Sequence, residues 1–201
     1  MSHALSILKK LTDHSALIHR ADAIAAGVSS TRLSDLTREG ILERIGRGLY
    51  QLVDKPVDTE YINLLEVAHQ QPKAVIILLS ALAFHGIGTH QAREVWIQLP
   101  MNSPTPTTAY PPLRVIKSRL DIAFTEGVEA HIIEGHPVRI TDIDRTIVDC
   151  FKHRSHVGLE VCLEALRERL KNSTASLQKL HHYSRIMRVS RVMQPYLEAL
   201  L

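Results

Sequence analysis

Apolar positions recur along the chain with two periods, and each switch of period marks an element. Residues 3–11 carry Leu5, Leu8 and Leu11 at three-residue spacing, which predicts an amphipathic helix. Beyond residue 17, Ala21, Ile24 and Ala25 keep helical spacing up to Gly27, and glycine ends helices because it takes the left-handed conformation at little cost. Ser29 or Ser30 then offers a side-chain oxygen to the free backbone NH groups of a new helix over 31–38. Leu33 and Leu36 face inward on it, with Ile41 beyond and Val28 as a plug between the helices. Gly40 ends that helix, and residues 41–45 and 49–52 alternate as two strands joined at Gly46-Arg47-Gly48. Helix, glycine turn, helix and a hairpin with a basic tip make a winged helix-turn-helix, supported by the helix over 3–11.

The remaining pattern is mixed. A helix is predicted over 58–70, capped by Asp58 or Thr59, then a buried strand over 74–79 and a short helix over 80–86 closed by Gly86. Strands follow over 94–99, 113–117, 131–134 and 136–140, the last two a hairpin at Gly135. Four prolines keep 102–112 out of any sheet. From Thr141 the period lengthens to nearly four, giving a helix capped by Thr141 or Asp142 with Ile143, Ile147, Val148 and Phe151 inward. Further helices are expected over 158–170, 176–183 and 188–200, with Pro195 a kink or a first-turn residue. The fold class is therefore α+β: a winged helix-turn-helix over 1–53, a polar, proline-bearing linker, and a domain over 58–201 with a small antiparallel or mixed sheet and C-terminal helices.

Composition bounds this picture. At 201 residues the chain suits one large domain or two small ones, and with 45% hydrophobic but only 4% aromatic residues its core must rest on Leu, Ile, Val and Ala. The net charge of +3 is unevenly spread: seven basic against five acidic residues over 1–53, eight against twelve over 54–151, and nine against four over 152–201. Both ends are basic. No leader pattern and no long apolar run appear, so a cytoplasmic protein without a membrane partner is expected. Two cysteines, Cys150 and Cys162, in apolar helical settings give no disulfide framework.

The winged segment supplies the candidate chemistry. The outer face of the second helix offers Ser29, Ser30, Thr31, Arg32, Ser34, Asp35 and Arg38; Arg20 precedes the first helix, and Arg44 and Arg47 flank and tip the wing. Short polar side chains and arginines on one side of such a module suit phosphate and base contacts with double-stranded DNA. Asp35 and Glu39 oppose this mildly, although an acid there can accept from cytosine or orient an arginine. The competing reading is a protein-binding or RNA-binding module whose winged helix is vestigial. In the tail, Arg167, Arg169 and Lys171 point outward, and Arg167, Lys171, Lys179, Arg185, Arg188 and Arg191 form a possible second basic face, to which His181 and His182 add; a plain solvated helical surface explains them equally well.

Enzyme chemistry is the rival class. A decayed nuclease core would need clustered carboxylates and a lysine, but Glu94 sits on a strand where Trp96 or Gln98 stands at the lysine position. Asp142 and Asp149 are better read as a helix cap and a partner for Arg145. Cys150, His153, His156 and Cys162 lack the paired spacing of structural zinc sites. No catalytic residue, metal or cofactor is assigned.

The segments LIHRADAIAAGVSSTRLSDLTREGILERIGRGLYQL, VIILLSALAFHGI, VWIQLP, PVRITDIDRTIVDCF and VMQPYLEAL, in this order, resemble the AbiEi antitoxins of type IV toxin-antitoxin systems over essentially the full length. The resemblance implies a transcriptional autorepressor, active in phage defence, whose winged helix binds inverted repeats in its own promoter. It implies a C-terminal antitoxin domain that opposes an AbiEii-type nucleotidyltransferase toxin without a stable complex. The matching DNA-contact positions are Ser29, Ser30, Thr31, Arg32, Arg38, Arg44 and Arg47, the protein being a monomer in solution or a dimer on DNA. A plain winged-helix repressor without a toxin partner is the alternative.

Overall fold

A computed structural model describes residues 3–12, 17–46, 48–56, 61–90, 92–107, 111–171 and 177–200. The chain opens with α1 (His3–Leu11), β1 (Leu17–His19), α2 (Arg20–Ala25), α3 (Ser30–Arg38), β2 (Leu42–Gly46) and β3 (Leu49–Leu52). β1, β3 and β2 form an antiparallel sheet in that order, with Leu17 opposite Gln51 and Leu42 opposite Leu52. This is the expected winged helix-turn-helix, with one strand more than the sequence reading gave. Leu17, Ile18 and His19 are all buried, so their three-residue run carries no alternation to mark it as a strand. Leu8, Ile18, Ala23, Val28, Leu33, Leu36, Leu42, Tyr50 and Leu52 close the module's own core.

Beyond it come α4 (Ile62–Gln70), β4 (Val75–Ile76), α5 (Leu78–Phe84), β5 (Val95–Pro100), β6 (Leu113–Ser118), β7 (Val128–Ile133) and β8 (His136–Thr141). The helices α6 (Ile143–Lys152), α7 (Arg154–Val157), α8 (Leu159–Lys171), α9 (Leu177–Ile186) and α10 (Ser190–Leu200) follow. The sheet is mixed, in the order β6-β5-β4-β8-β7: β5 with β6 and β4 with β8 run parallel, whereas β4 with β5 and β7 with β8 run antiparallel. The expected strand over 74–79 is only Val75–Ile76, because Leu78, at φ 51, turns the chain into α5. The expected caps Asp58 and Thr59 lie outside the described residues, as does Ser176. Of the two places expected for Pro195 the first turn is not the one taken: it lies inside α10.

Alternation along the central strands divides the body into layers. Ile76, Ile97 and Ile140 pack with α4 on one face, and Val75 and Trp96 pack with the helices on the other. Leu17 and Leu49 of the winged sheet join the α4-side cluster. The module and the body thus share apolar core, and α4 is the element between them.

The first turn of α6 anchors the helical layer through buried charge. Asp142 caps α6, accepting from the Arg145 NH at 2.7 Å, and also accepts from the Tyr183 hydroxyl at 2.7 Å. Asp144 pairs with Arg169 of α8 through two bonds of 2.8 and 3.1 Å, and Arg145 meets Asp149 at 3.1 Å. Arg145 also donates to the carbonyls of Glu126 and Ala123. Arg169, expected to point outward with Arg167 and Lys171, is therefore inside: the carboxylate of Asp144, itself 3% exposed, demands a buried partner.

Candidate nucleic-acid interface

Two glycine-ended helices set the candidate face. α2 closes with the Gly27 NH on the Ile24 carbonyl at 2.9 Å and the Val28 NH on the Ala23 carbonyl at 2.8 Å, which needs Gly27 at φ 94. The Ser29 side chain accepts from the Arg32 NH at 3.2 Å and starts α3 at Ser30, one residue before the predicted onset. α3 ends in the same way, with Gly40 at φ 72 and the Ile41 NH on the Leu36 carbonyl at 3.0 Å. With Leu33 and Leu36 buried, Thr31, Ser34 and Arg38 are left exposed and Asp35 half-buried on the opposite side. The helix axis is thereby fixed by its core, and its polar face is turned outward.

The wing lies against the start of α2. The Arg20 NH donates to the Gly48 carbonyl at 2.7 Å, and the Arg44 Nε donates to the Gly46 carbonyl at 3.1 Å across a bulge between Arg44 and Gly46. Arg47, the expected tip, lies outside the described residues. Arg20, Ser30, Ser34, Arg44 and Gly48 line one cleft of about 720 Å³, and the Arg20 guanidinium donates to the Ser30 hydroxyl at 2.9 and 3.2 Å. The arginines of α3 are held differently. Arg32 pairs with Glu39 at 2.9 Å, and Arg38, 79% exposed, pairs with Asp35 at 3.2 Å.

Residues 6–53 match the family described as transcriptional regulator, AbiEi antitoxin. The match lies within the winged module and does not extend into the body. Across nearly the whole chain the fold is similar to the crystal structure of the RV2827C protein from Mycobacterium tuberculosis, with a TM-score of 0.64 and 13% identity over 98% of this chain and 78% of that one. At that identity the likeness concerns the fold. No curated protein matches the chain.

The part of the cleft lining that comes from outside the winged module was not visible in the sequence. It is supplied by Glu66, His69 and Gln70 of α4, and the His69 ring stacks on His19 of β1 with centroids 3.4 Å apart and planes 11° from parallel. Burial lowers the His19 pKa to about 4, with His69 and His136 adding to the fall and Asp22 opposing it. Burial likewise raises the carboxyl of Glu66, to which the Gln70 amide donates, so negative charge is disfavoured on the acid lining this cleft.

The other candidates lie on the C-terminal helices and in the α6 region. Arg167 and Lys171 lie on α8, Lys179 and Arg185 on α9, Arg188 just after α9 and Arg191 on α10, all exposed. Cys150 and Cys162 are free and buried; burial pushes the Cys162 thiol up to about 11, and its Sγ donates to the Gly158 carbonyl at 3.2 Å. Asp142, Asp144 and Asp149 are engaged by Tyr183, Arg169 and Arg145. Among the described residues no group of three or more His, Cys, Asp or Glu is arranged to hold a metal ion. No helix among them is long and apolar enough to cross a membrane.

Proposed function

We propose that the protein is a DNA-binding transcriptional autorepressor and the antitoxin of a type IV toxin-antitoxin system. The observation that carries this reading is the exposed polar face of α3 beside the basic wing, on the segment that matches the AbiEi regulator family. α3 enters the major groove, where Thr31, Arg32, Ser34, Asp35 and Arg38 meet base edges and phosphates, while Ser29, Ser30, Arg20, Arg44 and Arg47 hold the backbone. Two copies occupy the two halves of an inverted repeat in the protein's own promoter. The body over 58–201, with its basic tail residues, opposes a nucleotidyltransferase toxin without a lasting complex, and the protein needs no cofactor or metal for either task.

Mobility shift with the chain's own upstream region tests the regulatory half. Retarded bands that weaken with Arg44→Ala and lose sequence preference with Arg32→Ala are expected; wild-type protein that leaves this duplex unshifted contradicts it. Co-expression with the product of the neighbouring gene tests the antitoxin half: rescue of growth without co-purification is expected.

A further inference from the structure

The cleft beside the reading helix is shared between the winged module and the body. Arg20, Ser34 and Arg44 come from the module, and Glu66, His69 and Gln70 come from α4. Ser34 of α3 and Arg44 of the wing are both exposed and both line the cleft, so a duplex that rests on the two of them lies over its mouth. His69 lines the cleft and is exposed, yet its ring is stacked flat against buried His19, which fixes its position before any ligand arrives. The local charge also favours an anion. Two arginines flank the cleft, and its acid, Glu66, is 4% exposed and takes a hydrogen bond from Gln70.

We propose that α4 is a second DNA-contacting element, with the His69 ring donating to a backbone phosphate of the duplex held by α3, across the cleft from Arg20 and Arg44. This rests on the reading of α3 and the wing as the DNA-binding face, and it makes the body part of the grip. The body then adds affinity and leaves base preference to α3, because a phosphate contact carries no sequence information.

Opposite charges at one position separate this contact from mere packing. The full chain is titrated by fluorescence anisotropy against two labelled duplexes, its own upstream region and an unrelated sequence of equal length, over a range of salt. His69→Lys is expected to bind both duplexes about threefold more tightly, with a salt slope steeper by about one, and His69→Glu to bind both about tenfold more weakly. A packing defect moves both variants in the same direction, so parallel shifts, or none, overturn the proposal. If His69→Glu does not fold by circular dichroism, His69→Lys against His69→Gln gives the same contrast, about fivefold in favour of lysine, and equality overturns it. Arg38→Ala and Arg44→Ala are measured alongside. Loss of binding in these with no response at His69 removes only the α4 contact, whereas no response in any of them removes the winged reading itself.

Discussion

On the proposed reading of α3, Arg32 is the arginine whose contribution the structure allows to be weighed. Its guanidinium lies 2.9 Å from Glu39 through Nη1, with Nη2 at 3.5 Å, and the two side chains are 32% and 45% exposed. A pair this accessible is worth about 0.2–1 kcal/mol. A bidentate arginine–guanine contact discriminates by about 1–3 kcal/mol, so, with α3 proposed as the reading helix, operator DNA is expected to outcompete Glu39 and break the pair. Glu39→Gln removes that cost in advance, and it also removes a carboxylate from beside the phosphates. Both effects have the same sign. The expected outcome is a Kd lower by about two- to fivefold on the operator duplex, with base preference intact. Anisotropy titration at fixed salt, repeated on a duplex with the half-sites scrambled, measures both quantities. Weaker operator binding or a lost preference with Glu39→Gln would refute the reasoning, since it would mean that Glu39 holds Arg32 in its reading position and stays paired on DNA.

Three further outcomes concern stability. His19 is neutral in the folded state down to about pH 4, whereas an exposed histidine takes its proton near 6.5. Its contribution is therefore fully present above about pH 6.5 and is lost as pH falls toward 4, by up to about 3 kcal/mol, and His19→Gln should flatten this part of a urea-melt pH profile. Arg169→Met leaves the Asp144 carboxylate buried and unpaired and should cost about 3–5 kcal/mol, most of it recovered in the Asp144→Leu, Arg169→Met double variant. A double variant as unstable as the single one would show that the pair is not the cause. Arg188 at φ 60 and Glu134 at φ 48 occupy the left-handed region that side chains disfavour, at the C-terminal turn of α9 and in the turn before Gly135. Arg188→Gly and Glu134→Asn should each raise the melting temperature, by about 1 kcal/mol of stability.

The parts of the fold written in local spacing were legible. Gly27, Gly40 and Gly86 each end a helix by the same paired hydrogen bonds, and α3, the hairpin at Gly135 and α6 with its Asp142 cap follow from neighbouring residues alone. What depends on distant partners was not. The β1 strand exists because Leu49, Tyr50 and Gln51 lie opposite Leu17, Ile18 and His19, a pairing across some thirty residues that no local pattern announces. Arg169 looks like any outward arginine until Asp144, 25 positions away in sequence, claims it. The parallel pairing of β4 with β8 encloses everything between them, and two residues of β4 give too short a run to declare it. The same holds for the interface: Ser30, Ser34, Arg20 and Arg44 could be named from the module, but His69 reaches the cleft only because α4 packs beneath the winged sheet. Arg32 and Arg38 were recognisable as arginines on the outer face of the second helix, whereas their pairing with Glu39 and Asp35 required the helix geometry.

Photo-crosslinking tests the DNA-facing side most directly. A benzophenone amino acid replaces Thr31 on α3 in one protein and Glu198 on α10 in another, both exposed positions, and each full chain is irradiated with a labelled duplex of its own upstream region. Crosslinks from position 31, with none from position 198, are expected. Crosslinks from position 198 with none from position 31 would place DNA on the helical tail and contradict the assignment of α3 as the reading helix.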